Sequence, residues 1–264
     1  MGRLVDGIAL LVVICSTKRP KGHQNINGID MNEFRPGGFQ MIPPVIKNLV
    51  IINALIFLAQ YSLGSAFNGR ITALFALHDV HSVYFRPHQL ITYMFLHGGW
   101  DHIFFNMFAL WMFGSVLENL WGGKRFLTFY VICGLGAAVC HLAVLYYEMG
   151  QALDHFNSLP LQDQELQGEE FYGGLNQGTV GASGAIFGCL AAFGYLFPNS
   201  LIYLYFFVPI KVKWFVLGYA AIELFSGVRN SAGDNVAHWA HLGGGLVGIL
   251  LVMFWNRNKR RDFY

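Results

Sequence analysis

Six apolar runs separated by polar segments constrain this chain more than any other feature of its sequence. They cover residues 45–62, 98–117, 126–147, 183–197, 214–225 and 236–255. A helix rises 1.5 Å per residue and needs about 17–25 largely apolar residues to cross a bilayer. Four of the runs meet that length; the fourth falls just below it and the fifth is short. The chain is therefore predicted to be an all-α polytopic membrane protein with a bundle of six transmembrane helices. Composition agrees, with only 12% charged residues against about 25% in a soluble domain. There is no basic stripe and no nucleic-acid reader motif, so nucleic acid is not an expected partner. The lipid bilayer is.

Lys and Arg gather before the first run, between the second and third, between the fourth and fifth, and after the sixth. Segment 148–182 carries Glu148, Asp154, Asp163, Glu165, Glu169 and Glu170 and no Lys or Arg, and reads as a polar loop. The positive-inside rule then puts both termini in the cytoplasm and this loop outside, as in a bacterial inner membrane. Residues 1–44 read as a cytoplasmic N-terminal extension, with Met31 a second candidate start of translation. Its apolar stretch 8–15 is too short to span, and Lys18, Arg19 and Lys21 stand where a signal peptide needs a small-residue cleavage site. Residues 257–264 form a basic tail. Residues 71–77 suggest a helix lying in the interface, the run 201–208 is rich in Tyr and Phe, and the segment 227–235 reads as a flexible polar link. Cys15, Cys133, Cys140 and Cys189 show no disulfide or metal spacing and read as packing residues.

The chemistry centres on Gly181-Ala182-Ser183-Gly184-Ala185-Ile186-Phe187-Gly188. Here a polar segment gives way to an apolar helix, so Ser183 stands at a helix N-terminus, where free N–H groups and the positive end of the dipole converge. Such a serine is either a helix cap among small residues or a nucleophile whose oxyanion finds donors in place. In the second run His102 and Asn106 share a helix face at i, i+4, suited either to helix–helix hydrogen bonding or to developing negative charge. In the sixth run His238 and His241 precede Gly244 and Gly248. Gly184 and Gly188 smooth the fourth run in the same way, so the two helices should pack closely and bring Ser183 within reach of a histidine of the sixth. His141 and Glu223 stand alone in their runs and read as structural. With no acidic residue evidently placed beside the histidine, a Ser–His dyad is expected. His97 with Gly98 and Gly99 should shape the entry to the second span.

These motifs together, His102-x-x-x-Asn106, Gly181-x-Ser183-Gly184 and Ala240-His241-x-x-Gly244-x-x-x-Gly248, resemble the rhomboid family of intramembrane serine proteases over residues 45–256. The resemblance implies Ser183 as nucleophile and His241, which alone has glycines at +3 and +7, as general base. It implies an oxyanion hole of His102, Asn106 and the backbone at Ser183. Gly181, Gly184, Phe187 and His238 would support the cavity. No metal or other cofactor is implied, and the partners would be transmembrane protein substrates. Two departures from the family pattern stand out: His88-Gln89 replaces a frequent Trp-Arg, and Phe187 replaces a frequent tyrosine below the histidine. The rival readings are a catalytically inactive relative that binds membrane clients, a metalloenzyme on His97, Asp101, His102, His238 and His241, and a transporter, for which the repeated halves are missing.

Overall fold

The computed structural model describes residues 11–12, 39–204, 207–229 and 236–259. In chain order its main helices are α1 (Pro44–Ser62), α2 (Ser65–Phe75), α3 (Trp100–Trp121), α4 (Gly123–Ser158), α5 (Leu161–Leu175), α6 (Ser183–Leu196), α7 (Val212–Arg229) and α8 (His238–Lys259). A helix thus covers each of the six apolar runs. By length and composition α1, α3, α4 and most of α8 can each cross a membrane. α1 shows what solvent they are built for. It buries Asn53 and Gln60 and exposes Ile51, Leu55 and Leu58. In water that distribution would be inverted; in lipid it is the expected one.

α6 is the central helix. It carries no charge, it is rich in Gly and Ala, and it is buried on nearly every face, as an all-round apolar helix must be. α8 and α4 are its main neighbours. The α6–α8 contact is made backbone to backbone: a Cβ on Gly244 would run into the Gly184 carbonyl, and one on Gly248 would lie 2.6 Å from the Gly188 carbonyl oxygen. The two helices therefore start at the same end of the bundle and run side by side. Gly244→Ala is expected to cost about 1–3 kcal/mol by overpacking. Thermal unfolding in detergent checks this, and an unchanged midpoint would contradict so close an approach.

Several segments differ from the sequence expectations. The polar segment 148–182 is helical over most of its length: α4 continues to Ser158 and α5 folds back on it, with Phe156 and Phe171 stacked at 4.2 Å. The Tyr- and Phe-rich run opens a hairpin that its composition did not indicate, Leu201–Leu204 (β2) against Val208–Lys211 (β3), with Leu11–Val12 (β1) paired to β2. α7 has 18 residues, longer than its apolar run, because Val212, Lys213 and the turn to Arg229 also take helical form. A helix does cover most of 71–77: α2 begins earlier and ends at Phe75. The extension 1–44 and the tail 257–264 lie largely outside the described residues, as do Cys15, Met31 and residues 230–235.

Buried polar side chains tie the ends of the bundle. The Glu118 carboxylate accepts the Val45 and Ile46 N–H groups, both at 2.9 Å, satisfying first-turn donors of α1 that have no helical partner. Gln89, where the family often has arginine, is fully buried. Its amide donates to the carbonyls of Tyr84 (2.8 Å) and Leu74 (3.3 Å), and its oxygen accepts the Arg86 N–H (3.1 Å). His88 adds a bond from Nε2 to the Leu74 carbonyl at 2.7 Å. The departing pair thus pins the segment between α2 and α3 through hydrogen bonds to backbone groups.

Candidate active site

Residues 177–181 deliver Ser183 to its place. Thr179 and Leu77 exchange backbone hydrogen bonds of 2.8 and 2.9 Å, and Gly181 N–H donates to the Tyr93 carbonyl at 3.0 Å. His141, expected to stand alone, bonds the Thr179 hydroxyl through Nε2 at 2.9 Å, so α4 also holds this approach. Gly181 has φ 132°, which disfavours any residue with a Cβ. A Cβ there would also lie 2.7 Å from His102 Nε2. Ser183 is the first residue of α6, with Ala182 at the cap position. It therefore presents its own N–H at the helix terminus rather than capping the helix.

The close packing of α6 and α8 sets His241 Nε2 2.8 Å from Ser183 Oγ. Phe187, one turn below the serine, lies flat under the imidazole at 4.4 Å and 3°, so ring stacking is present without the hydroxyl of a tyrosine. On its other side Phe187 meets Tyr219 of α7 at 4.8 Å.

The expectation that no acid accompanies the histidine is corrected. Glu223 of α7 is completely buried, and its Oε2 lies 3.0 Å from His241 Nδ1 and 2.6 Å from His238 Nδ1. Spacing along one helix could not reveal this, because Glu223 meets the histidines only through the way α7 is rotated against α8. The available signal was the cost of an acid within an apolar run.

His102 and Asn106 face the same cavity from α3. Gly98 N–H donates to His102 Nδ1 at 3.3 Å, which leaves the ring proton on Nε2, the nitrogen beside Gly181. His97 packs edge-on against His102 at 5.2 Å. Burial, with a smaller contribution from His102, pushes the His97 imidazole down to about 3, so it is neutral near pH 7 and packs as a ring. Asn106 Nδ2 is buried with no hydrogen-bond partner among the described residues. An orphaned buried donor costs about 1–3 kcal/mol, so it calls for an explanation.

Ser183, Phe187, His241, Glu223, His238, His102 and Asn106 line one cavity of about 1150 Å³, and His97 lies behind that lining. It runs between α3 (Phe105, Phe108, Met112) and α7 (Phe215, Tyr219). Glu223, His238 and His241 are also the group among the described residues whose ligand atoms lie within 4.8 Å of one another. Two ligands of one tetrahedral zinc, at bonds of ~2.0 Å, would stand about 3.3 Å apart. The distances of 2.6 and 3.0 Å found here are those of hydrogen bonds. The wider ligand set including His97, Asp101 and His102 forms no such group among the described residues. Chemically, the arrangement can take a proton from the serine hydroxyl and offer buried donors to a nearby negative charge.

Residues 84–258 match the family described as Rhomboid domain. The chain is similar to Rhomboid protein 1, mitochondrial, of Saccharomyces cerevisiae, 29% identical over 168 residues, covering 61% of this chain and 40% of that protein. It is similar to Rhomboid-like protein 11, chloroplastic, of Arabidopsis thaliana, 28% identical over 225 residues, 77% of this chain and 62% of the other. It is also 30% identical over 171 residues to Rhomboid protease AarA of Providencia stuartii, 60% of this chain and 52% of that one. The chain thus spans about half the length of the curated relatives it matches.

Proposed function

The chain belongs to the rhomboid family, and from that premise we propose that it is an intramembrane serine endopeptidase acting on membrane-anchored proteins in or near their transmembrane segment. The observation that carries this reading is the 2.8 Å bond between Ser183 Oγ and His241 Nε2 in the cavity lining. As Ser183 attacks the scissile carbonyl carbon, its proton passes to His241 Nε2. The carbonyl oxygen becomes an oxyanion facing Asn106 Nδ2, His102 Nε2–H and the backbone N–H at Ser183. Collapse of the intermediate breaks the C–N bond, and the leaving amine takes the proton from His241. Water then releases the acyl group by the same steps, with His241 again the base.

Depth follows from length. α6 has 14 residues and spans about 21 Å, well short of the ~30 Å hydrocarbon core. With its C-terminal end at the cytoplasmic face, its N-terminus lies below the outer surface, and the irregular backbone leading to it is tolerable because it lines a cavity. In our reading all six apolar runs span, and both termini face the cytoplasm. Residues 45–256 form the protease domain, with a cytoplasmic extension before it and a basic tail after it. The likeness to relatives named for mitochondria and chloroplasts, beside bacterial ones, supports an integral membrane protein and favours no particular compartment.

A fluorophosphonate probe tests the chemistry. The full chain in detergent should be labelled at Ser183, and His241→Ala should lose the label. An unlabelled wild-type protein that still binds single-span proteins would favour the inactive, client-binding alternative.

A transmembrane substrate must enter from the side, and the cavity between α3 and α7 is the route we propose. A thiol cross-link across Phe108→Cys and Phe215→Cys should block cleavage of a membrane substrate and spare probe labelling, with reduction restoring turnover. Undiminished turnover in the cross-linked form would reject the route.

A further inference from the structure

We propose that Glu223 is a positioning residue for His241, so that this chain works with serine, histidine and glutamate rather than with a dyad. The inference rests on the Ser183–His241 reading above and adds a third member to it.

Glu223 Oε2 accepts from two imidazoles, His238 Nδ1 at 2.6 Å and His241 Nδ1 at 3.0 Å. An ionised carboxylate can only accept hydrogen bonds. Each Nδ1 must therefore carry its proton. With the proton on Nδ1, neutral His241 has its lone pair on Nε2, the nitrogen 2.8 Å from Ser183 Oγ. The carboxylate thus selects the tautomer able to take the serine proton. The other tautomer would set a lone pair against Oε2 and point an N–H at the hydroxyl. During the reaction His241 becomes an imidazolium, held between the Glu223 charge and the face of Phe187. An opposite charge at hydrogen-bond distance is strongly felt in a buried site.

His238 has a separate task. The second carboxylate oxygen, Oε1, is buried without a hydrogen-bond partner among the described residues. A buried charge needs donors, and among the described residues the two imidazoles are the ones that the carboxylate has. His238, one turn before His241 on the same helix face, thereby anchors Glu223 where it can orient its neighbour. The third member comes from α7, one wall of the proposed entry route, so the set is complete only with α7 seated against α8.

The test uses the full chain in proteoliposomes with a single-span reporter. Glu223→Gln should lower kcat by about 10²–10⁴-fold, the scale seen when a catalytic histidine loses its tautomer partner. KM should stay within about twofold, and Glu223→Asp should recover part of the loss. Nitrogen-15 NMR of histidine-labelled protein should show His241 protonated at Nδ1 in the wild type, and the Nε2–H form should appear in Glu223→Gln. These changes separate positioning from a merely structural role, which would lower the folded fraction and leave the tautomer alone. A folded Glu223→Gln protein with kcat within about threefold of wild type overturns the proposal. So does a wild-type His241 protonated chiefly at Nε2, a measurement that stands even if the variant does not fold. Full cleavage by Ser183→Ala would instead remove the parent reading.

Discussion

Cleavage of a single-span reporter falls by about 10⁴–10⁶-fold in kcat when Ser183 or His241 is replaced by alanine, the range found when one member of a cooperating serine and histidine is removed. The expectation follows from their 2.8 Å contact: the hydroxyl is a poor nucleophile until the imidazole receives its proton, so either group alone is nearly idle. The Ser183→Ala, His241→Ala double variant should accordingly be no worse than either single one. Neither change should unfold the protein. Ser183→Ala deletes one oxygen at the edge of a cavity, and the α6–α8 contact is made by Gly184, Gly188, Gly244 and Gly248 rather than by these side chains. Initial rates in proteoliposomes, normalised to folded protein, check this. A Ser183→Ala form working within tenfold of wild type would end the proposed mechanism.

The pairing of serine and histidine was legible in the sequence because two local patterns set it. Gly184-x-x-x-Gly188 and Gly244-x-x-x-Gly248 each strip one helix face, and each lies within a turn or so of its reactive side chain. Close approach of the backbones then leaves little freedom in where residues 183 and 241 meet. Glu223 has no comparable signature. It is a single acid in an apolar helix, and its partners depend on the rotation of α7 about its own axis, which no spacing within α7 encodes. For the same reason His141 read as isolated until the approach to Ser183 folded over it and supplied Thr179. Segment 148–182 read as a loop because it is polar and holds Gly168, Gly173 and Gly174. Its helix α5 depends on an aromatic stack formed with the end of α4, and tertiary packing of that kind overrides weak local propensity. The hairpin at 201–211 was hidden in a run whose Tyr and Phe residues suit a strand and a membrane interface equally.

Asn106→Ala should lower kcat by about 10²–10³-fold with little change in KM, the usual effect of deleting one oxyanion donor. The distinguishing measurement is stability. Asn106 Nδ2 is buried with no partner among the described residues, so the resting fold already bears the desolvation of that donor without a compensating bond from them. A structural asparagine would lose stability on replacement. A donor held in reserve for a negative charge should not, and Asn106→Leu, which is close to it in shape, should melt at or above the wild-type temperature while remaining nearly inactive. His102 supplies the control from the same helix face, since its Nδ1 is already engaged by Gly98 N–H, and removing it should lower both rate and melting temperature. An Asn106→Leu protein that is both less stable and fully active would assign the side chain to packing. Opposite movements of activity and stability would instead identify a site that keeps an unpaired donor buried for use in the transition state.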